Sequence, residues 1–233
     1  NIKISYSKRN LNFGIIPPGR KKKTLLIIET QVQKHLRLLT QAPQSDIPEE
    51  IFIGNDGNYS HELITNHSNA FLSNDLGNLS QRCLKMVFSK CDGKIPNKGD
   101  LNETDLFLLN NAYDLYQNSL KCMDDYQIHT YLNSIFDIIS LANKYFSDQK
   151  PWELDKDSPD RMHTVLWVTC EILRITSILL QPVIVDGSNK LLDFLNIDSK
   201  ERSFINLNPS FSVKSGLEIK EPQVIFPKID LQT

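Results

Sequence analysis

The sequence is poor in the features that most often betray an activity. Its 233 residues carry 26 Lys and Arg against 28 Asp and Glu, a formal net charge of −2, so no excess of one sign marks a non-specific polyanion binder. Any nucleic-acid function must then rest on a local patch. The four cysteines, Cys83, Cys91, Cys122 and Cys170, form no C-x-x-C pair, which argues against a zinc knuckle. They are also too sparse for a secreted disulfide scaffold, which favours a reducing compartment. No run of 18 uncharged apolar residues is present, so no membrane-spanning helix is expected. The first residues show no apolar signal-peptide core. Neither G-x-G-x-x-G nor G-x-x-x-x-G-K-[ST] occurs, and there is no H-E-x-x-H or G-x-S-x-G. The five histidines have no metal-ligand spacing. Catalytic residues, bound metal and a resident cofactor are therefore not expected in this chain.

What is present is helical periodicity. Hydrophobic residues make up 40% of the chain and charged residues 23%, a balance that supports a real core. Residues 1–48 stand apart, with the breaker cluster Pro17, Pro18 and Gly19 followed by the basic run Arg20 to Lys23. That run reads either as a solvated segment or as a phosphate-contacting arm. After the turn signal Asn55 to Asn58, Ser60 can cap a helix with Glu62 in its first turn. Leu72, Leu76, Leu79, Cys83 and Val87 continue it, for roughly 45 Å if unbroken to Cys91. Gly77 in mid-helix implies a bend or a close contact.

A loop from Cys91 to Asp100 precedes a second helix capped by Asn102, with the stripe Leu106, Leu109, Tyr113, Tyr116, Leu120 and Met123. A third places Ile128, Leu132, Ile135, Ile139, Ala142 and Phe146 on one face and must stop near Lys150, ahead of Pro151. Ser158 and Pro159 start a fourth, striped by Val165, Val168, Ile172, Ile175 and Leu179, which Pro182 ends. A short helix from about Ser188 to Leu195 closes the set. The tail from Asp198, punctuated by Pro209, Pro222 and Pro227, is expected to pack as an extended strap. The fold class is all-α, a helix bundle with an irregular N-terminal segment and an extended C-terminal tail.

One polar constellation flanks that bundle. Asn78 and Arg82 are four residues apart and share a helical face, about 100° from the apolar stripe at Leu79 and Cys83. Their amide and planar guanidinium suit hydrogen bonding to an unstacked base edge. Trp152, at the break after Pro151, can stack on a base. Each has a plainer reading: a helix-to-helix hydrogen bond for Asn78, a surface ion pair for Arg82, a hydrophobic plug for Trp152.

Several motifs in order then resemble one family. Asp56-Gly57-Asn58-Tyr59-Ser60-His61-Glu62-Leu63-Ile64 followed by Asn74-Asp75-Leu76-Gly77-Asn78-Leu79-Ser80-Gln81-Arg82 resembles the opening of the anticodon-binding bundle of methionyl-tRNA synthetases, in the bacterial and mitochondrial version. Ala142 to Tyr145 with Lys150 to Leu154, Leu180 to Ile184, Asn189 to Leu192 and Phe226-Pro227-Lys228 resemble its later signatures. The resemblance covers residues 49–233 and leaves 1–48 unmatched, either disordered or a remnant of a catalytic domain.

It implies that Asn78, Arg82 and Trp152 read the CAU anticodon loop of a methionine tRNA, with Trp152 stacking and the other two bonding to base edges. Asn143 and Tyr145 are expected to hold the helix junction. The family's H-I-G-H-like and K-M-S-K-S motifs, which handle ATP, are absent; near where the latter belongs, Arg20 to Leu25 reads R-K-K-K-T-L. The resemblance therefore implies one part of a methionine–tRNA ligase. ATP use and a catalytic domain in cis belong to the full-length parent, the mitochondrial matrix or the cytoplasm is the location, and this chain alone is expected to activate nothing. The other function class left open is a helical protein-interaction or accessory module without RNA specificity. The chain opens on Asn1, so a longer product is expected, and any targeting segment would precede it.

Overall fold

The computed structural model describes residues 61–125, 127–154 and 158–230. The basic run at Arg20 to Lys23, the turn at Asn55 to Asn58 and the Ser60 cap lie outside the described residues.

The first long helix runs unbroken but not uniformly. It begins as α1 (His61–His67), widens into a π-helical stretch over Ser68–Gly77 and tightens again as α2 (Asn78–Lys90). Gly77 lies where the widened turn closes. A Cβ there would meet the Leu72 carbonyl oxygen at 2.8 Å and the Phe226 Cβ at 3.4 Å, so the close contact expected at Gly77 is real. The Asn78 N–H donates to both Asp75 O and Ser73 O as the helix changes pitch. Leu76, Leu79, Cys83, Leu84 and Val87 form the buried face of this rod.

α3 (Glu103–Asp124) starts at the expected cap. The Asn102 side chain accepts from the Asp105 N–H at 3.0 Å, and the Asp105 carboxylate accepts from the Asn102 N–H at 3.0 Å. Its buried stripe differs from the expected one. Leu109 is buried, but Leu106 and Leu120 stand 44% and 39% exposed, and the interior face is Asp105, Leu108, Leu109, Ala112, Leu115 and Ser119. The helix is apolar around much of its girth, so periodicity alone left its rotation open. Asp105 sets it, because its carboxylate is turned inward to collect Tyr145 and Arg161.

α4 (Ile128–Gln149) buries Ile135, Ile139, Ala142 and Phe146 as expected, leaves the expected Ile128 and Leu132 half-buried, and adds Tyr131, Ile138 and Tyr145. It ends where Pro151 requires. Lys150 turns left-handed (φ 45°) while its N–H donates to Phe146 O at 3.2 Å. The single turn α5 (Pro151–Leu154) follows at that corner.

α6 (Pro159–Leu180) is the central helix, buried at every residue from Thr164 to Leu180. It is long and apolar enough to cross a membrane, yet its apolar window is buried among its neighbours, which accounts for the composition. Ser158 holds the N-cap position without a capping side-chain bond, and Pro159 takes the first turn. Thr164, Thr169 and Thr176 return their hydroxyls to carbonyls four residues back, which satisfies them inside the core. The charge pair buried within this helix is also satisfied: Glu171 accepts from Arg174, from the Tyr113 hydroxyl at 2.8 Å and from the Val213 N–H at 2.8 Å.

α7 (Val185–Phe194) starts three residues before the expected Ser188. The tail is only partly the extended strap expected. It first makes three 3-10 turns, Ser199–Glu201, Phe204–Asn206 and Pro209–Phe211, because Asp198 and Asn208 cap two of them with their side chains. Past Val213 it extends. Leu217 and Ile219 bond to Ile95 and Gly93 in the loop after α2, and Lys94 bridges antiparallel to Glu218. The last described residues then return to the first helix, where Ile229 bonds to the Asn69 side chain.

Candidate nucleic-acid interface

Three elements bring the expected residues together at one end of the bundle. α2 carries Asn78 and Arg82 one turn apart. The end of α4 supplies Phe146, and the corner after it presents Trp152. The Arg82 guanidinium carbon lies 5.0 Å from the Phe146 ring centre and 5.1 Å from that of Trp152, and the two rings are 6.1 Å apart at 48°. Arg82 and Trp152 are therefore in contact, with Asn78 exposed one helical turn away from Arg82.

The plainer readings of the three residues do not match this geometry. Among the described residues Arg82 makes no ion pair and no hydrogen bond; its charge rests on aromatic faces. The Asn78 side chain bonds to no other helix among the described residues. Trp152 is 45% exposed, which is too open for a plug between helices. What results is a surface with a stacking platform, a planar cation and a free amide. An unpaired base meets such a surface by stacking and by edge hydrogen bonds.

The corner that offers Trp152 is fastened from below. Arg161, from the first turn of α6, donates twice to Gln149 Oε1 (2.6 and 3.2 Å) and twice to the Asp105 carboxylate (2.6 and 2.8 Å). The Tyr145 hydroxyl donates to the same carboxylate at 2.6 Å. Burial pushes the Asp105 carboxyl up, but the bonds from Arg161, Tyr145 and the Asn102 N–H outweigh it and hold it below the ordinary value. Burial and the Asp105 charge push the Tyr145 phenol far up, so it stays a donor. Asn143 donates to Asp75 O at 3.2 Å and ties α4 to the π-helical stretch. The junction roles expected of Asn143 and Tyr145 are what the structure shows.

Sequence reading missed two contributors. Phe146 lies on the apolar stripe of α4, and nothing in the pattern separates it from a core residue. The second is the tail: Val224 to Lys228 faces Ser73, Asn74, Gly77, Asn78 and Gln81 across a groove of about 340 Å³. Phe226-Pro227-Lys228 carried a resemblance but no hint of this position. Among the described residues no cluster of three or more His, Cys, Asp or Glu is placed to hold a metal ion.

With this geometry in hand, residues 95–233 match the family described as the anticodon binding domain of methionyl tRNA ligase. The chain belongs to this family. The match includes Trp152 and begins after Asn78 and Arg82. The methionine–tRNA ligase of Brucella suis is 43% identical over 179 residues, and that of Mycobacterium tuberculosis is 38% identical over 187. Each alignment takes in 77% of this chain and 35% of the relative, so the chain spans about a third of the length of these enzymes.

The free form of the M. tuberculosis methionyl-tRNA synthetase superposes with a TM-score of 0.76 at 35% identity, over 86% of this chain and 39% of that one. Its complex with methionyl-adenylate gives 0.74 at 38% identity, over 76% and 36%. The all-α bundle is therefore the fold of an anticodon-binding domain from this family.

Proposed function

We propose that this domain reads the CAU anticodon loop of a methionine tRNA, with Trp152 stacking on an unpaired base and Asn78 and Arg82 bonding to base edges. One observation supports this above the others. Arg82 carries its charge between two aromatic rings with no acidic partner among the described residues, beside a half-exposed indole and a free amide. A surface guanidinium without a carboxylate has its donors available for an incoming base or phosphate.

The parent reaction belongs to the same proposal. A full-length methionine–tRNA ligase would use ATP to join methionine to its tRNA, with a catalytic domain supplied in cis, and this chain would contribute recognition only. It should then show no methionine-dependent pyrophosphate exchange by itself. A mitochondrial-matrix location rests on the sequence resemblance, and organelle fractionation tests it.

Binding of an RNA hairpin with CAU in its loop, compared with a scrambled loop at fixed salt, is the deciding experiment. Trp152→Ala should weaken the CAU hairpin by about 1–3 kcal/mol, the value of one base stacked on an aromatic ring. Equal binding of both hairpins, unchanged by Trp152→Ala, would refute the proposal and favour a protein-interaction module.

A further inference from the structure

The surface beside Asn78 continues into the groove between the first helix and the tail. Its near wall is Ser73, Asn74 and Gln81, none of whose side chains has a hydrogen-bond partner among the described residues. The far wall is Val224 to Lys228, and the exposed Lys228 ammonium has no carboxylate partner among the described residues. At about 100° per residue, Arg82 lies roughly 40° to one side of Asn78 and Gln81 roughly 60° to the other. Asn78 is thus a ridge, with the Phe146–Trp152 platform on one flank and the groove on the other.

The far wall is built in place. Asn69, at 9% exposure, clasps Ile229 at two points: its amide donates to the Ile229 carbonyl and its oxygen accepts the Ile229 N–H, both at 2.8 Å. Phe226 docks where glycines leave room. A Cβ on Gly187 would lie 2.3 Å from the Phe226 ring, and one on Gly77 would lie 3.4 Å from the Phe226 Cβ. The Asn69–Ile229 clasp just beyond the groove and the seating of Phe226 within it hold Pro227 and Lys228, the residues between them, in place. A volume of about 340 Å³ is at the small end of ligand sites, which run about 300–1,000 Å³. It is polar on one side and cationic at its rim.

We infer that this groove is a second nucleotide subsite, taking an unpaired nucleotide adjacent to the one stacked on Trp152, with Gln81 and Asn74 at the base or sugar and Lys228 at the phosphate. The inference rests on the anticodon-loop reading above and extends it to the tail: the strap is a wall of the reading surface as well as packing.

The test uses the whole chain, the CAU hairpin, and two exposed or half-buried side chains that support no core contact. Gln81→Leu should weaken binding about three- to tenfold, the value of a lost net hydrogen bond. Lys228→Gln should weaken CAU and scrambled hairpins alike and make the slope of log affinity against log salt shallower by about 0.7, as expected for one phosphate contact on a single strand. Asn69→Leu should release the strap and reproduce both losses, with far-UV circular dichroism confirming that the bundle is intact. If either Gln81→Leu or Lys228→Gln binds as the parent does while Trp152→Ala loses affinity, the groove is not a subsite and the anticodon reading stands. If Trp152→Ala is also without effect, both fall together.

Discussion

Asp105→Asn removes one charge from a site that sequence inspection would assign only to helix capping. The carboxylate is fully buried and accepts four bonds from two side chains and the Asn102 N–H: two from Arg161, one from Tyr145 and one from the cap. An Asn of the same shape has one accepting oxygen and an NH₂ that must face donors. Stranding the partner of a buried ion pair costs about 3–5 kcal/mol. Arg161 keeps 23% of its side chain in contact with solvent, so water recovers part of that cost and about 3 kcal/mol is the working figure.

For a domain of this length that corresponds to a fall in Tm of about 6–12 °C. The pH dependence follows from the direction of the shift. The folded carboxyl is held below its ordinary value, and the unfolded one titrates near about 3.9. Its stabilisation is therefore complete above the unfolded value and is lost as the pH falls through the folded one. The stability gap between parent and variant should stay constant from about pH 7 to 5, begin to narrow near the unfolded value of about 3.9, and close only below the folded one. Thermal unfolding by circular dichroism at a series of pH values reads both effects. A Tm change under about 2 °C at neutral pH, or a gap that widens as the pH falls below the ordinary carboxyl range, would refute the account of this network.

Glu171→Gln strands Arg174 at 1% exposure and should cost about 3–5 kcal/mol, read as a lower urea midpoint with an unchanged slope. Gly187→Ala drives a methyl group into the Phe226 ring at 2.3 Å and should cost about 1–3 kcal/mol. The double variant with Phe226→Leu should recover most of that loss, because the overlap is with the far end of one side chain. Failure to recover it in a double-mutant cycle would mean that Gly187 matters for another reason.

The helices were legible because each was announced by local chemistry. Asn102, Pro151 after Lys150 and Pro159 after Ser158 act within three or four residues of themselves. The rotation of α3 was not legible, since Leu106 and Leu108 are equally apolar in the sequence. Only the carboxylate of Asp105, bonded to residues 40 and 56 positions away, decides which of them is buried. The same holds at the candidate site. Asn78 and Arg82 could be placed on one face by counting, and Trp152 on a corner by its proline. That Phe146 would close the sandwich, or that Val224 to Lys228 would return to Asn78, depends on contacts between distant parts of the chain.

That Arg82 has no carboxylate partner among the described residues bears on affinity as well as assignment. An exposed ion pair stabilises the free protein by about 0–1 kcal/mol, and a base or phosphate that takes the guanidinium must first break it. A guanidinium over rings gains about as much, about 0.5–1 kcal/mol, through its faces, while the N–H groups at its edges keep their donor capacity. The ring contact therefore holds Arg82 in one orientation without competing for the donors that RNA would use. The gain is in pre-organisation: ordering a long side chain on binding costs about 0.5–1.5 kcal/mol, and here Phe146 and Trp152 have met part of that cost beforehand. On the proposed reading, Phe146 would act through the orientation of Arg82, since it is itself fully buried. Phe146→Leu should keep most of the core volume, free the Arg82 side chain and weaken RNA binding, while Trp152 keeps its exposure.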